Sequence, residues 1–350
     1  MSAKQGPPRD GGPILWCILA AAFFGASTPA SKALLQVFGP LRLSGILYLG
    51  AALAVAPWAL RGALALRSAG RSNMLSLAGA VLFGGILGPV LLLRGLSVAP
   101  AASVSLWLNL ETVATALLAG MFFREHPGPR TWGAVALVVA ASALLSPGTG
   151  GGLAAVTWVG LACIAWGLDN NLTSIIDRFS PAQVTFAKGI AAGSVNLTLG
   201  HWLEPGSTPG AAVAAGLGVG ALGYGVSLLL YIAGAQHLGA TRSQLIFSTA
   251  PAWGLGLSWL VLGEAMRPVE AAAAALMAIA IWLWHREHHT HSHRHHEVTH
   301  QHLHRHDDGH HDHEHAEGTA PAEWHSHEHT HAPVEHTHPH RPDLHHRHDH

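Results

Sequence analysis

Along the first 285 positions apolar residues do not recur with the period of a surface helix or a half-buried strand. They run on, in stretches close to the ~20 residues that a helix needs to cross a bilayer. Ten such stretches can be placed: 13–36, 38–60, 73–98, 100–123, 130–146, 153–176, 181–199, 209–236, 239–262 and 267–285. What separates them is short and rich in Pro, Gly or charge, as in "GP" at 39, "REHPGPR" at 124, "SPGTGGG" at 146 and "GEAMRP" at 263. The pattern predicts an all-α membrane protein. The first stretch is too long for a cleaved signal peptide, lacks a cleavage site and is followed by nine like it. Small residues abound within the stretches, as close helix packing in lipid requires.

Beyond His285 the pattern changes completely. Of 29 histidines, 26 lie from His285 onward, in runs such as "HHTHSHRHH", "HSHEHTH" and "HTHPH". Large apolar residues nearly vanish there, and the composition predicts a disordered segment over 286–350. His-x-His places two imidazoles on one side of an extended chain, and a few such pairs can close around Zn, Ni, Co or Cu. His325, His327, His329, His331, His336, His338 and His340 are taken together as the metal-ligating set. A pH-responsive segment is the alternative, since imidazoles titrate near 6.5.

Charge sharpens the division. The net charge of −1 combines 14 Lys+Arg against 8 Asp+Glu up to His285 with 5 against 12 after it. Within the front part the positive residues are unevenly distributed. An N-terminus on the inner side gathers Lys4, Arg9, Arg61, Arg67, Arg71, Arg124, Arg130, Arg178 and Arg242 on that side, which satisfies the positive-inside rule. Ten crossings then put both termini, and the histidine segment, in the cytoplasm. Cys17 and Cys163 sit in apolar runs and read as small buried hydrophobes.

The front part repeats. "ALLAGMFFREHPGPRTWGAVALVVAASALL" closes the first five stretches, and "GLSWLVLGEAMRPVEAAAAALMAIAIWL" closes the second five. Glu125 matches Glu264 and Pro129 matches Pro268, at a constant offset of 139. "FFGASTPASKALLQVFGP" parallels "AWGLDNNLTSIIDRFSP", with Gly25 opposite Gly167. Five helices per repeat make the halves inverted across the membrane, a plan that puts a substrate site near the midplane. The domains are then a short N-terminus 1–12, a first repeat 13–146, a second repeat 153–285 and the tail 286–350.

This duplicated ten-helix pattern, with helix ends like LFLGE-x-x-x-P, resembles the EamA-type branch of the drug/metabolite transporter superfamily. The resemblance covers residues 13–285. It implies an inner-membrane secondary carrier, often an exporter, working by alternating access; it leaves the substrate open. The family proline thirteen residues before the motif glutamate is present as Pro251, but the first half has Thr112 there, preceded by Glu111.

Ionisable groups at bilayer depth are costly and invite a functional reading. Glu111 is central in the fourth stretch, with Ser103, Trp107 and Thr115 at helical spacing and Asn109 nearby. Lys188 is central in the seventh, with Thr185 and Asn196. Asp169, Asn170 and Asn171 cluster late in the sixth. The pathway set is therefore Glu111, Lys188, Asp169, Asn109, Asn170, Asn171 and Trp107. Trp107 and Trp166 could stack on a substrate, or simply pack. Glu111 and Lys188 could instead pair as structural glue. Lys32, Arg42 and Arg94 lie near helix ends, where snorkelling is expected, and Glu125 and Glu264 read as caps or gates. Counting Lys32, Arg42, Arg94 and Lys188 against Glu111 and Asp169 favours an organic anionic or zwitterionic solute.

The function expected is thus a non-ATP transporter of small solutes, an exporter of organic metabolites or drugs with a metal-binding regulatory tail. No phosphate-binding loop occurs, no enzyme activity is expected and no cofactor is required. Two alternatives stand: a divalent-metal efflux carrier, and a metal-sensing or metal-storing membrane protein without transport. The implied partners are the lipid bilayer, a small-molecule substrate and divalent metals, with a homodimer open and nucleic acid excluded.

Overall fold

The computed structural model describes residues 11–61, 70–123, 129–145, 152–176, 178–238, 246–285, 289–295, 298–304, 325–331 and 334–340. Up to His285 the described residues form helices joined by turns and short irregular segments: α1 (Gly11–Leu34), α2 (Pro40–Ala59), α3 (Gly70–Ala80), α4 (Gly88–Val98), α5 (Ala101–Trp107), α6 (Leu110–Phe123), α7 (Pro129–Leu145), α8 (Gly152–Ser174), α9 (Pro181–Leu203), α10 (Gly210–Gly220), α11 (Ser227–Leu238), α12 (Ala250–Leu262) and α13 (Pro268–His285). Two π-helical segments interrupt the third and eighth apolar stretches, π1 (Val81–Leu87) between α3 and α4 and π2 (Ala221–Val226) between α10 and α11.

Among the described residues, five helical stretches are long and apolar enough to cross a membrane: Gly12–Leu34, Pro40–Ala59, Gly70–Val98, Gly152–Ser174 and Gly210–Gly234. Trp132–Leu145, Ala250–Leu262 and Pro268–Leu283 are shorter apolar helices. The expected single helix over 100–123 is instead broken by a turn at Leu108–Asn109, between α5 and α6. The stretch expected over 239–262 is likewise broken by a turn at Ser248–Thr249, before α12. Hydrophobicity runs straight through both breaks, so the pattern did not betray them.

Local chemistry sets several helix starts. Pro40, Pro89, Pro181 and Pro251 sit in the first turn of α2, α4, α9 and α12, where a missing N–H costs nothing. Ser180 and Gln183 form a reciprocal capping box at the start of α9.

Packing exchanges the two halves. α2 lies against α9, and α7 against α13. α1 packs on the α10–π2–α11 rod while α8 packs on the α3–π1–α4 rod, and α1 meets α12 as α8 meets α6. Each of these pairings is thus its own counterpart or has one when the halves are swapped. Glycine permits the closest of these approaches. A Cβ at Gly189 of α9 would come within 2.8 Å of the Tyr48 carbonyl oxygen in α2, and one at Gly25 of α1 within 2.9 Å of the Gly254 nitrogen in α12. The main core runs from Phe38 and Leu43 through Leu92, Leu93, Leu96, Val104 and Trp107 to Val159, Trp166 and Met277. Cys17 and Cys163 are both free and buried.

Within 286–350 the described residues are extended. Four seven-residue strands, β1 (His289–His295), β2 (Val298–His304), β3 (His325–His331) and β4 (Val334–His340), form two antiparallel ribbons, β1 with β4 and β2 with β3. The two-residue alternation of His with Thr, Ser, Val or Glu is the period of a strand.

Candidate functional site

One end of the bundle, where α1 finishes and α2 begins, is tied by side chains that cap helices belonging to other stretches. Glu264, at the end of α12, accepts from the backbone N–H groups of Ala101 (2.7 Å) and Ala102 (2.9 Å), the first residues of α5. Glu204, just after α9, does the same for Leu41 and Arg42 at the start of α2, both at 2.9 Å. A carboxylate at a helix N-terminus satisfies orphan donors and complements the dipole. Helix C-termini are met by cations. Lys32 Nζ donates to the carbonyls of Leu96 (2.7 Å) and Ala99 (3.0 Å), at the end of α4. Arg42, itself buried, donates to the carbonyls of Gly200 (3.3 Å), Gly206 (3.1 Å) and Glu204 at the end of α9. Lys32 and Arg42 are therefore fastened to carbonyls, whereas Arg94 is exposed as snorkelling predicts. Arg267 and the buried Glu270 pair at 2.9 Å, and both bond Ser103 Oγ. Glu125 lies outside the described residues.

Deeper in, side chains gather around π1. A π turn leaves backbone carbonyls without their α-helical donors, and such segments often mark functional positions. Gly84 O accepts from the Tyr48 hydroxyl and from Trp166 Nε1–H, the latter at 3.0 Å. Asn196 Nδ2 donates to Gly85 O (3.2 Å) and Ile86 O (3.3 Å). Asp169 packs on Gly84, where no side chain could fit. Lys188 pairs with Asp169, which also accepts from Thr173 Oγ1 at 3.0 Å. Trp166 is thus committed to a backbone carbonyl of π1.

The expected polar trio 169–171 divides. Asp169 faces α9 and π1, whereas Asn170 and Asn171 face α6. Asn170 Nδ2 donates to Glu111 Oε1 (3.0 Å) and Thr115 Oγ1 (3.2 Å), and Asn171 Nδ2 to the Thr115 carbonyl (3.2 Å). Lys188 pairs with Asp169 rather than with Glu111, because α9 presents it to α8 and π1. Trp107 is fully buried, with Nε1–H bonded to the Ser142 carbonyl at 3.2 Å, and is not positioned to stack on a solute. The break at Leu108–Asn109 is why Trp107 and Glu111 do not share one continuous helical face. Asn109 Nδ2 closes that break by donating to Leu106 O at 2.9 Å.

Glu111 opens instead onto a cavity of about 110 Å³. Both helix breaks contribute to it, Leu108 and Asn109 from one half, Phe247 and Ser248 from the other. The correspondence is the same offset of 139 that relates the repeat motifs (248 − 109 = 139). Thr112 and Pro251, the unlike pair of the duplicated motif, both line it too. Ala134–Val138 near the start of α7 and Ala280–Ile281 near the end of α13 close its sides. The cavity thus lies in the half of the bundle away from the capped end. Its aromatic wall was not foreseen: Phe24 and Phe247 are 5.5 Å apart between ring centroids, continued by Tyr224 (6.0 Å from Phe24), Tyr231 (4.9 Å from Phe247) and Tyr48 (5.9 Å from Tyr224).

The tail histidines fall at matched register positions. In β1 and β4, His289, His291 and His293 are opposite His340, His338 and His336; in β2 and β3, His300, His302 and His304 are opposite His329, His327 and His325. His331 is opposite Val298.

Comparison with known proteins fits this geometry. The profile of the EamA-like transporter family matches twice, over residues 12–146 and 153–285. No curated protein matches the chain. One solved crystal structure of a protein is 16% identical, covering 78% of this chain and 96% of its own with a TM-score of 0.54; that likeness bears on the fold alone.

Proposed function

The chain belongs to the EamA-like transporter family, and on that premise we propose that it is a secondary transporter that moves an organic solute across the inner membrane by alternating access. The reading counts ten crossings in two inverted five-helix repeats, with both termini cytoplasmic. The observation that carries it is Glu111: an acid at bilayer depth, opening on a cavity where the broken helices of the two repeats meet. With the N-terminus inside, the capped end is external and the cavity lies toward the cytoplasm. A site that loads from the cytoplasm suits an exporter. Release then needs the Glu264 and Glu204 caps to part on the outer side.

Divalent-metal efflux has less support. A metal path needs several convergent ligands, and no group of three or more His, Cys, Asp or Glu that could hold a metal ion occurs among the described residues. The tail is read as a separate regulatory element that binds Zn, Ni, Co or Cu. The matched histidine registers of the two ribbons support that reading, since they place His opposite His at successive alternate positions.

The test is uptake into vesicles holding the purified full-length protein, with organic solutes and Zn²⁺ or Ni²⁺ compared with and without an imposed proton gradient. Gradient-dependent accumulation of an organic solute, lost in Glu111→Gln, is the expected result. Metal accumulation without solute movement, or full activity in Glu111→Gln, overturns the reading.

A further inference from the structure

Charge at bilayer depth must be compensated, so each ionised group in the bundle can be asked what compensates it. Lys188 is paired with Asp169, and Arg267 with Glu270. Lys32 and Arg42 are turned onto helix C-terminal carbonyls, and Glu204 and Glu264 onto helix N-terminal N–H groups. Glu111 is left over. Its carboxylate takes one hydrogen bond from the neutral amide of Asn170, and among the described residues no cation forms an ion pair with it. Lys188 and Asp169 offset each other away from the cavity wall, so an ionised Glu111 brings a charge of −1 to the cavity with no ion-pair partner among the described residues. Of the cations whose count favoured an anionic solute, Lys32, Arg42 and Lys188 are committed elsewhere and Arg94 is exposed.

The rest of the wall has the matching character. Glu111 is the ionisable residue among those lining the cavity, and Phe24, Val113, Val135, Val138, Phe247 and Ile281 give it an apolar surface. Aromatic faces attract cations through the ring quadrupole and are the usual partners of quaternary ammonium groups. Phe24 and Phe247 stand at the cavity, backed by Tyr224 and Tyr231. Its volume of about 110 Å³ is several times what a single water requires, on the order of 10–15 Å³. A helix N-terminus also reaches the cavity, that of α12, but Pro251 has no N–H, and Ala252 and Trp253 already donate to the Thr249 carbonyl at 2.9 and 3.3 Å. An anion would find little there.

We propose that the cavity binds an organic cation with a compact apolar body, its ammonium group at Glu111 and its body against Phe24 and Phe247. This rests on the transporter reading and names the solute class for it. Binding of such a solute supplies the counter-charge that Glu111 lacks, so an occupied site is neutral before the bundle rearranges.

The test uses three probes that share one phenyl ring and differ in charge: phenethyltrimethylammonium, 3-phenylpropionate and phenylalanine. Each is titrated by calorimetry into the full-length protein in lipid nanodiscs. The ammonium compound should bind saturably, at one per chain, and the other two more weakly. Glu111→Gln should weaken it by at least about 10-fold, the loss of a charged partner. Phe24→Leu should weaken it by a few-fold while leaving 3-phenylpropionate unchanged, and so serves if Glu111→Gln does not fold. Tighter binding of the anion or zwitterion overturns the proposal, as does retained cation affinity in Glu111→Gln or no binding of the ammonium compound at all. The vesicle assay separates the two readings. A cation that is bound but never moved sinks transport and leaves the site; uptake of other solutes without cation binding does the reverse.

Discussion

Replacing Lys188 by Met keeps the length of the side chain and removes its charge. In the native protein Lys188 and Asp169 face each other with side chains 17% and 8% exposed, so water screens the pair little. Without Lys188, the Asp169 carboxylate stays buried against Gly84 with Thr173 Oγ1 as a donor at 3.0 Å. Breaking a buried pair from one side costs about 3–5 kcal/mol, and the surviving Thr173 bond puts the expected cost near the lower figure, about 3 kcal/mol. Adding Asp169→Asn removes the stranded charge and should return the double variant to within about 1 kcal/mol of the native protein. Equilibrium unfolding in mixed micelles, run on the four proteins of the cycle, measures the coupling directly. A loss below about 0.5 kcal/mol in Lys188→Met, or a double variant as unstable as the summed singles, refutes the argument. So does a larger coupling of Lys188 to Glu111 than to Asp169.

Glu264→Ala removes the acceptor for two N–H groups at the start of α5, and should cost about 1–2 kcal/mol by thermal unfolding, with Glu264→Gln losing less because one oxygen remains. Full-length protein should take up more than one Zn²⁺ or Ni²⁺ at neutral pH and release them as pH falls below about 6, where the imidazoles protonate. Truncation after His285 should abolish that uptake, read by calorimetry, and leave solute uptake in vesicles intact.

Much of this architecture was legible in the sequence. The duplicated motif and the constant offset gave the two repeats, and the run lengths gave most helices. Glu111 was marked as central by its apolar neighbours, and it does line the cavity. What escaped were the helix breaks, since Leu108 and Phe247 continue the apolar run through them; only the polar residues at Asn109 and Ser248, one repeat apart, hint at a shared turn. The partner of Lys188 escaped too. Asp169 stands on the sixth stretch and Glu111 on the fourth, and choosing between them requires knowing which of the two helices α9 faces. The charge count could not weigh Lys32 and Arg42, because a sequence shows them but not the carbonyls they meet. Glu204 and Tyr48 gave no signal at all, being ordinary residues until a helix end or a π turn is placed beside them.

The two π segments carry a record of descent. Gly84 of π1 and Gly223 of π2 stand one repeat apart (223 − 84 = 139), so both halves widen the same rod at the same turn. A π turn accommodates one residue more than the α turn it replaces. Two independent insertions at one register would need a coincidence; a single insertion in a five-helix ancestor, copied when its gene doubled, needs none. The widened turn is then older than the duplication. With α2 aligned to α9 on Pro40 and Pro181, and α1 to α8 on Gly25 and Gly167, the side chains that now bond π1, Tyr48, Trp166 and Asn196, have Gly189, Phe24 and Val55 as their counterparts. The halves diverged around an inherited irregularity, and the first became the polar one.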